Sequence, residues 1–305
     1  MSIITAKKRN QLLEFLPCSK LSEYIQCFWY YDNKNQELPE NLSADAACEL
    51  SITITEEFGQ LDYQATLFGP RSKPLPVVRS IKQRFFIGVR FWPGAINVFQ
   101  QRVSGEQLLN KMVPANLIWR DMAQELLDPI LTFTNHEQQL YLLESFFLNN
   151  LQTRYKQSDV LTQSMNIIRE SAGTVKIQQV ADDVAISRRQ LERKFRSQIG
   201  LTPKQFGRIT RIRQLVKGLQ STPKPNLLEL TAKGKYSDQA HLTRECKALT
   251  GTTPQRLIKK LQTTEVLQYD HNKMSEAFES EYADVHNRIR PSSTGRKTTH
   301  SYSHS

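Results

Sequence analysis

Two similar stretches decide the fold of the C-terminal part of the chain: residues 177–195, IQQVADDVAISRRQLERKF, and residues 227–247, LLELTAKGKYSDQAHLTRECK. Each pattern predicts a short helix, a tight turn, a serine able to cap a new helix, and a helix with a polar, basic outer face. A glycine and a Thr-Pro pair follow each stretch, as GLTP at 200–203 and GTTP at 251–254. The repeated unit predicts two helix-turn-helix motifs, the type of unit that reads DNA.

The positive charge of the chain is confined to the same region. The whole chain has 41 Lys and Arg against 30 Asp and Glu, a net charge of +11. Residues 155–261 hold 21 basic against 8 acidic residues, a net charge of +13, while residues 1–154 (15 against 16) and 262–305 (5 against 6) are each at −1. Such a region is typical of a polyanion-binding domain. A membrane surface would favour one basic amphipathic helix, so several basic helices favour nucleic acid.

Cysteine content and hydropathy bound the class of protein. The four cysteines, Cys18, Cys27, Cys48 and Cys246, form no CxxC pair and no cluster with histidine, so neither a disulfide framework nor a zinc site is predicted. No apolar run approaches the length of a membrane span, and the N-terminus lacks the apolar core of a signal peptide. We therefore expect a cytoplasmic protein with no membrane association and no cofactor.

The N-terminal part has the pattern of strands. Residues 49–55 alternate apolar and polar side chains, and residues 84–91 form a second predicted strand. A helix is predicted over 138–151, where it would connect two domains or form a dimer surface. The expected fold class is α+β, with four parts: a β-rich, barrel- or cupin-like sensor or dimerisation domain over 1–135, a helical linker over 136–158, an all-α double helix-turn-helix domain over 159–262, and a disordered tail over 263–305.

The helix predicted over 187–199 has the features of a DNA recognition helix. Ser187 is a suitable N-cap, and a buried stripe recurs every four residues at Leu191, Phe195 and Ile199. Arginine can contact guanine through two hydrogen bonds, and glutamate can accept one from cytosine. We therefore predict base contacts for Arg189, Glu192 and Arg193, and phosphate contacts for Ser187, Arg188, Lys194, Arg196 and, beyond this helix, Lys204.

The helix predicted over 237–249 is its counterpart. Ser237 or Asp238 caps it, and Leu242, Cys246 and Leu249 face inward. Glutamine can read adenine and alanine can touch a thymine methyl group. We predict base contacts for Gln239, Ala240, Thr243 and Arg244, and phosphate contacts for Ser237, His241 and Lys247. A helix from 203 to about 219 would separate the units by roughly 25 Å, which permits recognition helices in successive major grooves about 34 Å apart.

These residues resemble the AraC/XylS family of bacterial transcription regulators. The resemblance covers about residues 160–261 and is carried most specifically by YSDQAHLTRECK at 236–247 with TGTTP at 250–254, and by SRRQLERKF at 187–195 with GLTPK at 200–204. It implies a sequence-specific regulator whose two helix-turn-helix motifs, joined by a long helix, bind double-stranded DNA. The sequence leaves open whether the protein activates or represses transcription.

The N-terminal half is similar to the sensor-type domain of a subset of that family. The carrying residues are ACEL at 47–50, Gly69-Pro70 and GVRFWPGA at 88–95. The similarity implies control by an effector or a partner and identifies no ligand. A small-molecule effector, a homodimer and contact with RNA polymerase are all compatible with it.

Two positions depart from the family pattern. Lys235 stands where the family usually has glycine before the aromatic residue of the second turn, and Gly234 lies one residue early. If the backbone of Lys235 needs a positive φ, the lysine costs about 1 kcal/mol relative to glycine. Cys246 stands where phenylalanine is usual, which removes aromatic volume from the core. Both departures predict a weaker second unit.

Two classes of enzyme would need residues that this sequence does not provide. A metal-dependent cupin enzyme needs histidines on paired strands, and residues 1–135 contain none. A DNA-repair methyltransferase needs an activated cysteine, and Cys18, Cys27 and Cys48 lack activating neighbours. We therefore expect no enzyme. A redox sensor that uses these three cysteines, and an architectural nucleic-acid binder without base preference, stay open as alternatives.

Overall fold

The N-terminal half is built on a six-stranded antiparallel sheet with the strand order β1-β2-β7-β4-β5-β8, beside a two-stranded β3-β6 ribbon. The computed structural model describes residues 12–32, 41–76, 83–133, 135–152, 158–221 and 226–263. The strands are β1 (Leu12–Phe15), β2 (Ile25–Asp32), β3 (Asn41–Leu42), β4 (Glu49–Glu57), β5 (Gln60–Phe68), β6 (Leu75–Pro76), β7 (Gln83–Phe91) and β8 (Met112–Pro114).

Alternation of side chains explains the central strands. On β4, Leu50, Ile52 and Ile54 are fully buried, and Leu50 and Ile52 lie opposite Val89 and Ile87 of β7. Burying each such side chain contributes about 1.5–3 kcal/mol, which fixes the register of the pair. The strands predicted over 49–55 and 84–91 are confirmed.

One of the helices packs against the sheet. Helix α3 (His136–Asn149) follows the shorter α1 (Gly105–Leu108) and α2 (Asp128–Thr132). The ring of Phe147 on α3 lies 5.3 Å from that of Phe91 on β7 and 5.1 Å from that of Phe99. The helix predicted over 138–151 therefore exists, but it packs into the N-terminal core, and Leu151, expected on its buried face, follows its end.

The described part of the C-terminal half is built of helices. Its helices are α4 (Asp159–Glu170), α5 (Ile177–Asp183), α6 (Arg188–Ile199), α7 (Pro203–Ser221), α8 (Leu227–Lys233), α9 (Gln239–Thr250) and α10 (Pro254–Thr263). The pairs α5-α6 and α8-α9 are the two predicted units, and α7 connects them. The buried stripes of α6 and α9 share one apolar cluster with α7. In this cluster the ring of Phe195 packs edge-on against that of Phe206 at 5.7 Å.

Two expectations concern the remainder of the chain. The disordered tail predicted over 263–305 lies, from residue 264 onward, outside the described residues. Among the helices that the structure does describe, none has the length and apolar character that crossing a membrane requires.

Candidate nucleic-acid interface

Helix α6 begins at a reciprocal cap. The Ser187 Oγ accepts from the amide of Gln190 at 3.2 Å, and the Gln190 Oε1 accepts from the amide of Ser187 at 2.9 Å. This capping box satisfies two backbone donors and fixes where the helix starts. Leu191, Phe195 and Ile199 are buried, so the opposite face points to solvent. The predicted N-cap is confirmed.

The outer face of α6 carries exposed arginines and a tethered glutamate. Arg189 and Arg193 are exposed, as base contact requires. The Glu192 carboxylate lies 3.1 Å from the Arg188 Nε and 3.7 Å from the Arg196 Nη2. These exposed pairs are worth only tenths of a kcal/mol each, about as much as a single i,i+4 pair. Glu192 can therefore break these ion pairs to accept a hydrogen bond from a base. In the free protein it orients Arg188 and Arg196, the two arginines predicted to contact phosphate.

Lys194 is placed differently from the other basic residues of α6. It is half-buried, and its Nζ lies 3.5 Å from the Oγ of Ser158, the N-cap of α4. The side chain thus reaches the start of α4. The structure does not group Lys194 with the exposed arginines of this helix.

Helix α9 has a different cap. The Asp238 Oδ1 accepts from the amide of His241 at 2.6 Å, so Asp238 is the N-cap. That amide, followed by the hydroxyl of Ser237, lowers the pKa of Asp238 below its usual value. The Ser237 hydroxyl donates to Asp238 at 3.1 Å and also lies 3.1 Å from the Nδ1 of His241. The cap leaves these three predicted side chains joined in one surface network.

The outer face of α9 presents most of its predicted contacts to solvent. Gln239, Ala240, Arg244 and Lys247 are exposed. Thr243 is half-buried, and its hydroxyl donates to the Gln239 carbonyl at 2.8 Å. That hydroxyl is therefore already bonded within the helix.

The two turns have the same strained conformation. Lys235 has φ 50°, and Ala185, at the equivalent position of the first unit, has φ 53°. In each turn the next amide reaches back five residues: Ile186 to the Ala181 carbonyl and Tyr236 to the Thr231 carbonyl, both at 3.0 Å. The positive φ at Lys235 is as expected. Because Ala185 has the same strain, a weaker second unit does not follow from Lys235.

The cysteines are placed as small apolar residues. Cys246 is fully buried in the shared cluster and lies 3.6 Å from the Thr250 hydroxyl. Burial raises the pKa of the Cys27 thiol, and it raises the pKa of Cys48 to about 12. Burial together with the charge of Glu144 raises the pKa of Cys18 to about 11. The thiolate is the reactive form, so the structure does not support redox sensing. Among the described residues, no three His, Cys, Asp or Glu side chains form a group that could hold a metal.

A basic cleft lies between the two units. It has a volume of about 610 Å³, and its polar lining consists of Lys176, Lys204, Arg208, Arg211, His241 and Glu245. Arg208 binds the Glu245 carboxylate through two bonds of 2.8 Å, and Arg211 donates to the Gly173 carbonyl at 2.9 Å. The structure therefore brings together Lys204 and His241, both predicted to contact phosphate. It adds Lys176 and Arg211, neither of which was predicted from the sequence, although Arg211 lies seven residues after Lys204 and so on the same face of α7.

Comparison with known proteins agrees with this geometry. Residues 180–260 match the family model of a helix-turn-helix domain, and residues 13–114 match that of a domain of unknown function, DUF6597. No curated protein gives a significant match to the chain.

Similar solved structures include the C-terminal domain of AraT, a response regulator from Geobacillus stearothermophilus, with 18% identity, 39% of this chain and 98% of that one covered, and a TM-score of 0.33. ToxT from Vibrio cholerae O395 shows 10% identity, 85% and 98% coverage, and a TM-score of 0.40. Fatty acid-bound ToxT from Vibrio cholerae strain SCE256 shows 10% identity, 86% and 100% coverage, and a TM-score of 0.42. With TM-scores below 0.5, these similarities carry no further conclusion.

The match over 180–260 spans α6 and α9, the two helices whose caps, buried stripes and exposed basic faces were described above. This chain therefore carries an AraC-type helix-turn-helix domain and is a DNA-binding transcription regulator.

Proposed function

We propose that α6 and α9 enter two successive major grooves of double-stranded DNA and read bases there. The observation that carries the proposal is the pair of capped helices with exposed basic faces, held in one core by a connecting helix. Helix α7 has 19 residues, so it spans about 28 Å. Together with the widths of the packed helices, this length suits grooves about 34 Å apart.

The base contacts of this proposal follow exposure. On α6 they are Arg189 and Arg193, joined by Glu192 once its ion pairs open; on α9 they are Gln239, Ala240, Thr243 through its methyl group, and Arg244. Phosphate contacts come from the ends and flanks of the helices: Ser187, Arg188, Lys194, Arg196, Lys204, Ser237, His241 and Lys247. Lys194 is the weakest member, since its Nζ lies beside Ser158.

The N-terminal domain provides the control in this proposal, through a small-molecule effector or a partner. One face of the sheet supports an effector site. Glu14 and Trp29 lie side by side in the β1–β2 register, and the Trp29 indole N–H is buried with no hydrogen-bond partner among the described residues. Burial, opposed by Arg90 and reinforced by Glu49, raises the pKa of Glu14 to about 7. A bound molecule with polar groups would satisfy both side chains.

The proposal also covers the location, the partners and the domain boundaries of the protein. We propose that the regulator is cytoplasmic, has no catalytic activity, and works with RNA polymerase as a homodimer. The domain boundaries at 135, 158 and 262 also stay predictions, although α3, which follows the first of them, packs into the N-terminal core.

Selection of duplexes from a random-sequence library by the full chain tests this function. The expected result is a site with two conserved blocks whose centres lie about 10 base pairs apart, one per recognition helix. Enrichment without any consensus would instead support the architectural binder.

A further inference from the structure

Both recognition helices are held at their C-terminal ends by the N-terminal domain. The Asn97 side-chain amide donates to the Gln198 carbonyl in the last turn of α6 at 3.0 Å. The Ala44 backbone amide donates to the Leu249 carbonyl in the last turn of α9 at 2.7 Å. Carbonyls in a last helical turn have no partner within the helix, and here one domain supplies a donor to each.

A third contact joins the same domain to the connecting helix. The buried Asp45 carboxylate binds Arg90 and lies 3.5 Å from the Arg71 Nη2, both within the N-terminal domain. It also accepts from the Nη2 of Arg213 on α7 at 2.9 Å. Burial alone would raise the pKa of Asp45, but Arg213, Arg90 and Arg71 together hold it well below its usual range.

The three arginines around Asp45 differ in exposure. The side chains of Arg71 and Arg90 are 4% and 8% exposed, whereas that of Arg213 is 44% exposed. Arg213 has the largest charge effect on Asp45, but Asp45 keeps two buried partners when Arg213 leaves, so opening this one pair strands no buried charge. Of the three ion pairs that Asp45 forms, the one with Arg213 is thus the pair that can open and re-form.

Close backbone packing accompanies these bonds. Gly105 at the start of α1 abuts Gly200, the C-cap of α6, so that a Cβ on Gly105 would lie 2.5 Å from the Gly200 nitrogen. No side chain fits between the two backbones. The N-terminal domain can therefore approach α6 this closely only because both positions are glycine.

We propose that the docked N-terminal domain fixes the spacing of the two recognition helices, and that the Asp45–Arg213 ion pair is the contact through which this restraint is released. Docking engages the C-terminal ends of α6 and α9 and leaves Arg189 and Arg244 exposed, so the docked form remains able to bind DNA. A signal that separates Asp45 from Arg213 frees the second unit to move relative to the first. This inference rests on the proposed function, in which α6 and α9 bind two successive major grooves, and it states how that binding is regulated.

The network reaches the proposed effector face of the sheet. Arg90, which binds Asp45, also donates to Glu49 at 3.1 Å, and the charges of Arg90 and Glu49 both act on Glu14. A ligand or proton at Glu14 therefore acts on the residue that shares Asp45 with Arg213. The control site is thus linked to α7 electrostatically, through the charge of Arg90 and its contact with Asp45.

The test measures tolerance to half-site spacing. The probes are the duplex selected by the full chain and the same duplex with two base pairs inserted between its blocks. The proteins are the full-length wild type, Arg213→Gln, Arg213→Lys, Gly105→Ala and the control Gln214→Ala, an exposed neighbour on α7. Gly105→Ala disturbs docking without changing charge. Thermal melts and binding to a single block check that each variant is folded.

The wild type and Gln214→Ala are expected to lose affinity tenfold or more on the inserted duplex. Arg213→Gln and Gly105→Ala should each reduce that loss at least threefold, and Arg213→Lys should behave like the wild type. Equal discrimination by all folded variants, on a site with two blocks, overturns this inference alone. A selected site with a single block overturns the proposed two-groove reading, and this inference with it.

Discussion

The second turn offers a prediction in which two neighbouring substitutions have opposite effects. Lys235 adopts φ 50°, whereas Gly234 has the ordinary helical φ of −77°. In the folded state, left-handed backbone costs a non-glycine residue about 1–2 kcal/mol of stability. Replacing that residue with glycine removes this cost, but about 0.4–1 kcal/mol of the gain is offset because the unfolded chain becomes more flexible. Lys235→Gly should therefore stabilise the protein by about 0.5–1 kcal/mol.

The opposite change applies to the preceding residue. A Cβ on Gly234 would lie 2.4 and 2.7 Å from two ring carbons of Tyr236, which is buried in the apolar cluster. Gly234→Ala must displace that ring, and overpacking of this kind costs about 1–3 kcal/mol. Glycine is therefore required at 234 because the Tyr236 ring packs against it, although the left-handed backbone is at residue 235.

Urea unfolding of the full chain, followed by tryptophan fluorescence and by circular dichroism, measures both changes. Coincident transitions justify the two-state analysis. Lys233→Gly, in the last turn of α8, is the control and should be destabilising by up to about 1 kcal/mol. If Lys235→Gly destabilises the chain as much as Lys233→Gly does, the left-handed strain at 235 is refuted.

The remaining predictions concern a cap, a base contact and a buried acid. Ser187→Ala removes the acceptor of the Gln190 amide and should cost about 1 kcal/mol in urea unfolding; an unchanged midpoint would show that the cap is not formed. Arg193→Ala should relax the preference at one base pair by about 1–3 kcal/mol in competition binding, while the control Arg256→Ala leaves the preference intact; an equal loss on every sequence makes Arg193 a phosphate contact. Burial raises the pKa of Glu14 from 4.5 to about 7, so the folded state binds a proton that the unfolded state releases, and stability falls as pH rises from 4.5 to 7. Glu14→Gln should reduce this fall but not abolish it, because burial also raises the pKa of Glu144 to about 7; an unchanged pH profile of the unfolding midpoint would count against the buried Glu14 carboxyl.

Local sequence was sufficient for the helices and their caps. Ser187 followed by Gln190 is a capping pair readable from spacing, and the stripe through Leu191 and Phe195 fixes which face of α6 is exposed. The strands at 49–57 and 83–91 follow from alternation in the same way. Such patterns predict structure because the interactions that enforce them lie within a few residues of one another.

Long-range packing was beyond the sequence. Asp45 and Arg213 are 168 residues apart, and neither stands in a pattern that distinguishes it from other charged residues. The strain at Ala185 is not visible in the sequence. Lys235 attracts attention because it stands where the family usually has glycine, whereas Ala185 does not depart from the family pattern in this way. Glu192 pairs with Arg188 and Arg196, each four residues away on α6, whereas the prediction of base contacts considers only partners on DNA. Of these ion pairs, only the Asp45–Arg213 pair depends on neighbours that a one-dimensional pattern does not show, since the Glu192 pairs follow the i,i+4 spacing of a helix.

The measurement that tests the central claim most directly is guanine N7 methylation interference on the selected duplex, since N7 lies in the major groove. With the full-length wild type, interference should fall in two blocks about 10 base pairs apart on one face of the duplex. Arg193→Ala should remove guanines from one block only, and Arg244→Ala from the other. A single block, or loss of both blocks in either variant, would contradict two recognition helices in successive grooves.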